Sequence, residues 1–144
     1  MTARTTLRRR LTAGTVICPT GGPVLDGGNR TVTITYRVSD PFAVELDVPD
    51  GPISVLWLLA RDLLADGLTI PSGIGDVEVT PSTRTDVVVW VTLHDPQSAG
   101  SCNLAFKRAE LERFLDDSDA MVPAGTEATR INWDRELSLL AGDR

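Results

Sequence analysis

The chain has 144 residues, 42% of them hydrophobic and 24% charged, with a formal net charge of −6 and a pI near 4.7. That is enough length for one well-filled core, so residues 1–144 read as a single domain. The acidic balance argues against tight nucleic-acid binding, whose affinity comes chiefly from Lys and Arg displacing counterions at phosphates. Two cysteines and one histidine are too few for a zinc site. No apolar run approaches the roughly 20 residues of a membrane span. Arg8, Arg9 and Arg10 precede Leu11–Cys18, but that stretch contains two Thr and a Gly and does not read as an export signal.

Residues 1–10, rich in Thr and Arg, read as a flexible arm, with the arginines as a candidate local basic face. Leu11–Cys18 is a poorly patterned strand, and Pro19–Asn29 a loop rich in Pro and Gly. Thr31–Val38 alternates cleanly, placing Val32, Ile34, Tyr36 and Val38 on one face. After Asp40-Pro41, the residues Phe42, Val44, Leu46 and Val48 form a second alternating face, with Glu45 and Asp47 outward. Pro49-Asp50-Gly51-Pro52 is a turn. Ile53, Val55, Trp57 and Leu59 continue the meander as a third strand.

The period then changes. The i,i+4 pairs Leu59/Leu63 and Leu64/Leu68 mark a short helix. Gly67 stands where a left-handed stop belongs. Pro71, Gly73 and Gly75 connect to a new strand at Asp76–Val79, with turn positions at Gly73 and Gly75 that call for positive φ. Beyond the polar turn Pro81–Thr85, Asp86–Leu93 has Val87, Val89, Val91 and Leu93 on one face and Val88 and Trp90 on the other. A strand apolar on both faces is covered on both, by a sheet, a helix or another subunit.

Cys102, Leu104 and Phe106 make the last strand. Arg108–Leu115 follows as a helix burying Leu111, Phe114 and Leu115, with Arg108 and Glu112 as a solvent-facing i,i+4 pair. Pro123-Ala124-Gly125 turns the chain. Asn132 caps a final helix whose packing face is Trp133, Leu137, Leu140 and Ala141 and whose stop is Gly142. Seven or eight strands with helices concentrated at the C-terminal end give an antiparallel α+β class.

Catalytic patterns are missing. His94 has no matched nucleophile in sequence, and the Pro71–Asp76 segment lacks the spacing of a phosphate loop. Asp116, Asp117 and Asp119 lack the calcium-loop pattern and read as a solvated helix end, with an acidic patch used by a partner as the alternative. Arg61 and Asp62, among leucines on the short helix, read as an internal ion pair or a cap, with a protein contact as the alternative. Trp57, Trp90 and Trp133 lie on separate apolar faces, as core or subunit interface.

Asp40-Pro41-Phe42-Ala43-Val44, the run WLLARDLLADGL from Trp57 to Leu68, Pro71, Gly73 and Gly75-Asp76-Val77, and Val122–Glu127 together closely resemble the SsgA-like proteins. These are sporulation and cell-division regulators of actinomycetes. The resemblance runs from about residue 31 to the C-terminus and is nearest to SsgB-type members. It implies a whirly-like fold, with two antiparallel sheets packed across each other and C-terminal helices, assembled as a homotrimer. It also implies a non-enzymatic cytoplasmic protein at division septa, without cofactor or metal. Such a protein recruits or positions the FtsZ ring with an SsgA-type paralogue and meets the membrane only through partners. Single-stranded nucleic-acid binding is the alternative that a whirly-like fold brings. The residues placed at a partner surface are Arg61, Asp62, Trp90, Asp116 and Asp117.

Overall fold

A computed structural model describes residues 4–73, 75–97 and 99–141. The elements are β1 (Thr6–Cys18), β2 (Leu25–Arg37), β3 (Asp40–Asp50), β4 (Ile53–Ala60), α1 (Arg61–Asp66), β5 (Val77–Pro81), β6 (Val88–His94), β7 (Ser101–Lys107), α2 (Arg108–Met121), a single 3₁₀ turn (Glu127–Arg130) and α3 (Trp133–Ala141). The class is α+β. All seven strands are antiparallel to their neighbours in one sheet ordered β4-β3-β2-β1-β7-β6-β5, curved into a half-barrel.

The expectation of two sheets is therefore replaced by one continuous sheet. The cause is β1, which runs through residues read from sequence as an arm. Residues 6–10 are strand, and Leu7 is 1% exposed. At 13 residues, β1 pairs with β2 over most of its length and with β7 only over Gly14–Cys18, joining the two halves of the sheet. The polar composition of Arg8–Arg10 concealed a strand whose core-facing positions are Leu7, Leu11 and Ala13. Leu25–Asn29, expected as loop, likewise belongs to β2, with one register break opposite Thr15 and Val16.

Alternation explains the core. Val32, Ile34 and Tyr36 of β2, Val44, Leu46 and Val48 of β3, Val89, Val91 and Leu93 of β6, and Leu104 and Phe106 of β7 are all buried. With Leu64 of α1 and Leu111, Phe114 and Leu115 of α2 they form one cluster. Both helices thus cover the same face of the sheet. Phe42 departs from the expected face and is 45% exposed. Tyr36 pairs with Val44 but Arg37 pairs with Asp40, so Pro41–Ala43 bulge out of register and Phe42 turns outward.

Gly67 is not a left-handed stop. Its φ of −66° and ψ of −12° are ordinary right-handed values. What demands glycine is space, since a Cβ there would lie 2.3 Å from both Cβ and Cγ1 of Val79. At Gly73, φ is +123° and a Cβ would also meet the Val77 carbonyl at 2.5 Å. Ser72 and Val79 exchange backbone hydrogen bonds of 2.8 Å, closing the outer edge of β5.

Arg108 does not form the expected pair with Glu112. Its guanidinium donates to the Leu68 carbonyl and, at 2.6 Å, to the Asp86 carbonyl, tying α2 to the loops beside it. α2 extends six residues further than expected, so Asp116, Asp117 and Asp119 lie on its last turns. The Asn132 side chain accepts from the Arg135 amide at 3.0 Å, as a cap should. The face of α3 is another matter. Trp133 is 51%, Leu137 59% and Leu140 83% exposed, and no residue of α3 is buried. Gly142 lies outside the described residues.

Candidate partner-binding surfaces

Arg61 is 2% exposed. It begins α1 directly after β4, which aims its side chain across the core-facing side toward the end of α2 and the 3₁₀ turn. Its Nη2 donates to Glu127 Oε2 at 2.8 Å, and Nη1 lies 3.3 Å from Ser118 Oγ and 3.5 Å from Asp119 Oδ1. The guanidinium sits over the Tyr36 ring, 4.8 Å from its centroid. Glu127 uses its other oxygen to accept from the Gly125 amide at 2.8 Å. The Arg61 hydrogen bond, followed by the backbone amides of Glu127 itself and Gly125, holds the Glu127 carboxyl below its ordinary pKa. Burial pushes the Tyr36 phenol up, with the Arg61 charge opposing, and its hydroxyl donates to the Pro41 carbonyl at 2.9 Å. Arg61 Nε has no hydrogen-bond partner among the described residues. This is a buried clamp joining four parts of the chain rather than a docking point.

The other expected partner residues are not brought together. Asp62 is exposed in the first turn of α1. Trp90 is half-buried on the open face of β6, between Thr80 and Ala105 in register. Asp116 is exposed on α2, and Asp117 is paired with Arg9 at 3.5 Å. His94 ends β6 with Nε2 3.1 Å from Glu78 Oε2. Among the described residues no group of three or more His, Cys, Asp or Glu is placed to hold a metal. Nor is any helix long and apolar enough to cross a membrane.

Two features stand out that sequence reasoning passed over. The first is β4, an edge strand of eight residues, Ile53–Ala60, without a charge, a proline or a break in its pairing with β3. On it Ile53 is 64%, Leu56 57% and Leu58 58% exposed. A long apolar edge is what monomeric proteins avoid, because its free backbone groups template another chain. The signal was legible, since β4 is apolar at both parities, the same pattern noted at Val88 and Trp90. The second feature is a cleft of about 790 Å³ lined by Ile17, Val48, Val55, Trp57, Leu93 and Cys102. Burial there pushes the Cys102 thiol above its usual pKa.

Residues 31–127 match the family model described as Streptomyces sporulation and cell division protein, SsgA. The chain belongs to this family. It is similar to a sporulation-specific cell division protein of Frankia casuarinae, 38% identical over 78% of this chain and 77% of the relative. It is 42% identical to SsgB of Streptomyces coelicolor over 73% and 77% of the two chains. A solved structure of SsgB from Streptomyces coelicolor superposes with a TM-score of 0.69 at 30% identity, covering 90% of this chain and 99% of that one. The crystal structure of an SsgA-like sporulation-specific cell division protein from Thermobifida fusca gives 0.72 at 25% identity, covering 96% and 99%. The matched segment begins within β2 and ends at Glu127, so it spans both partners of the central ion pair.

Proposed function

We propose that this protein acts in sporulation-specific cell division as a non-enzymatic adaptor that recruits or positions the FtsZ ring at septa, alongside an SsgA-type paralogue. The family is described by its role in sporulation and cell division rather than by a reaction. The single structural observation that supports an adaptor is the bare β4 edge with Leu56 and Leu58 outward, a surface suited to being covered by protein. In this reading copies associate through that edge as a homotrimer in the cytoplasm. Asp62, Asp116 and Trp90 remain available on other surfaces, while Arg61 acts from inside by holding the end of α2 against α1.

Co-sedimentation with polymerising FtsZ in the presence of GTP, paired with light scattering for subunit number, tests the proposal. The expected result is an oligomer that pellets with the filaments. A monomer that stays in the supernatant at all protein concentrations would remove both parts of the reading.

A further inference from the structure

A second cleft, of about 470 Å³, lies where the start of β1 meets the end of α2 and the 3₁₀ turn. Three arginines from separate parts of the chain line it: Arg4 before β1, Arg9 on β1 and Arg130 at the end of the 3₁₀ turn. One carboxylate, Asp117, lines it too, 3.5 Å from Arg9. Val38 and Met121, which pack against the core, supply apolar wall. On a chain of net charge −6 such a concentration of positive charge needs a reason.

The neighbouring acids do not supply the neutralisation. Glu127 turns inward to Arg61 at 2.8 Å, and Asp119, though its side chain is half-exposed, lies against the same guanidinium at 3.5 Å rather than against Arg4 or Arg130. Among the described residues neither Arg4 nor Arg130 has an ion pair. The Arg9–Asp117 contact is long and its side chains are 43% and 40% exposed. Exposed pairs of that kind contribute at most about 1 kcal/mol, so a competing anion displaces Asp117 readily.

The geometry points to a binding site for a phosphate monoester at Arg4, Arg9 and Arg130. A monoester carries close to two negative charges and three free oxygens, which matches three guanidinium forks better than a lone carboxylate does. The cleft is much larger than a phosphate, so the ester's carbon portion lies against Val38 and Met121. The same chemistry is offered by a soluble phosphorylated molecule and by a lipid phosphomonoester headgroup. Lipid is a real source here, since α3, with Trp133, Leu137 and Leu140 uncovered, starts three residues beyond Arg130.

Two titrations of the full-length chain at low ionic strength separate these sources. One uses glycerol 1-phosphate, followed by calorimetry. The other uses phosphatidylcholine vesicles with and without phosphatidic acid, followed by flotation. Binding to either probe that weakens about tenfold in Arg9→Gln and in Arg130→Gln supports the site, and the probe that binds names the source. Arg4→Gln, at the exposed start of the chain, should weaken the same binding and guards against a folding effect in the other two. Failure of both probes overturns the inference. So does vesicle binding that ignores all three arginines and disappears in Trp133→Ser, since α3 alone would then make the contact.

Discussion

Gly67→Ala separates two explanations of one glycine. If Gly67 were a left-handed stop, Ala would be costly through φ, and Asn, which tolerates that conformation, would be mild. The observed φ of −66° suits Ala, and at such a site the exchange normally stabilises by about 0.4–1 kcal/mol. Against that gain stands Val79, 0% exposed, with its Cβ and Cγ1 each 2.3 Å from the new methyl group and its carbonyl oxygen 2.9 Å away. Favourable carbon contacts sit near 3.5–4.0 Å, so β5 or α1 must shift by roughly an ångström. Overpacking of this order costs about 3 kcal/mol, which leaves a net loss of about 2 kcal/mol. For a chain of this length that lowers Tm by about 6 °C. Urea unfolding followed by tryptophan fluorescence measures it. The steric account makes two further demands: Gly67→Asn should be worse than Ala, and the cost of Gly67→Ala should fall by more than half in a Val79→Gly background. An alanine variant as stable as the parent, or an Asn variant milder than the Ala variant, would refute it.

Arg61→Ala should destabilise the chain far more than Asp62→Ala, and Arg61→Lys should not restore it, because one ammonium cannot reproduce the fork that reaches Glu127, Ser118 and Asp119; urea midpoints for the three variants decide this. Glu127 has a folded pKa below its ordinary 4.5, so its stabilisation is complete above about that pH and is lost as pH falls through the folded value. The stability gap between the parent and Glu127→Gln should therefore be constant near neutrality and close in acid, as seen by denaturation between pH 7 and pH 3. Asn132→Ala removes the cap of α3, worth about 1 kcal/mol, yet among the described residues α3 has no buried side chain; NMR shifts of residues 133–141 should lose helicity while the global midpoint stays put. Leu56→Lys with Leu58→Lys places charges on the β4 edge and should abolish self-association in light scattering without lowering thermal stability.

Much of the fold was legible wherever one face was buried and the other wet. Thr31–Val38 and Phe42–Val48 could be assigned face by face because period-2 alternation is a local consequence of backbone pleating. The hairpin departs from that pattern at Phe42, where a bulge breaks the period, and at Thr35, which is buried on the face opposite Ile34 and Tyr36. Residues 6–10 were missed for a different reason. Arg9 shares the core-facing parity of Leu7 and Leu11 but reaches out to Asp117, so the strand carries a charge where the pattern calls for an apolar residue. α3 failed in the opposite direction: its amphipathic spacing is real, but a stripe says only that something must cover it.

Local spacing in the sequence by itself determined the α+β class, most strand faces, the α3 cap and the burial of Leu111, Phe114 and Leu115, because each depends on neighbours within a few residues. Tertiary structure alone decided that the strands form one sheet through β1, that Gly67 answers to Val79, and that Arg61 meets Glu127 across 66 positions of chain. It also decided which arginines of the second cleft have no ion pair among the described residues. Arg61 draws Glu127 inward and holds Asp119 beside it, and that leaves Arg4 and Arg130 facing an open cleft. Such assignments follow from which elements come together in space, which no local periodicity encodes.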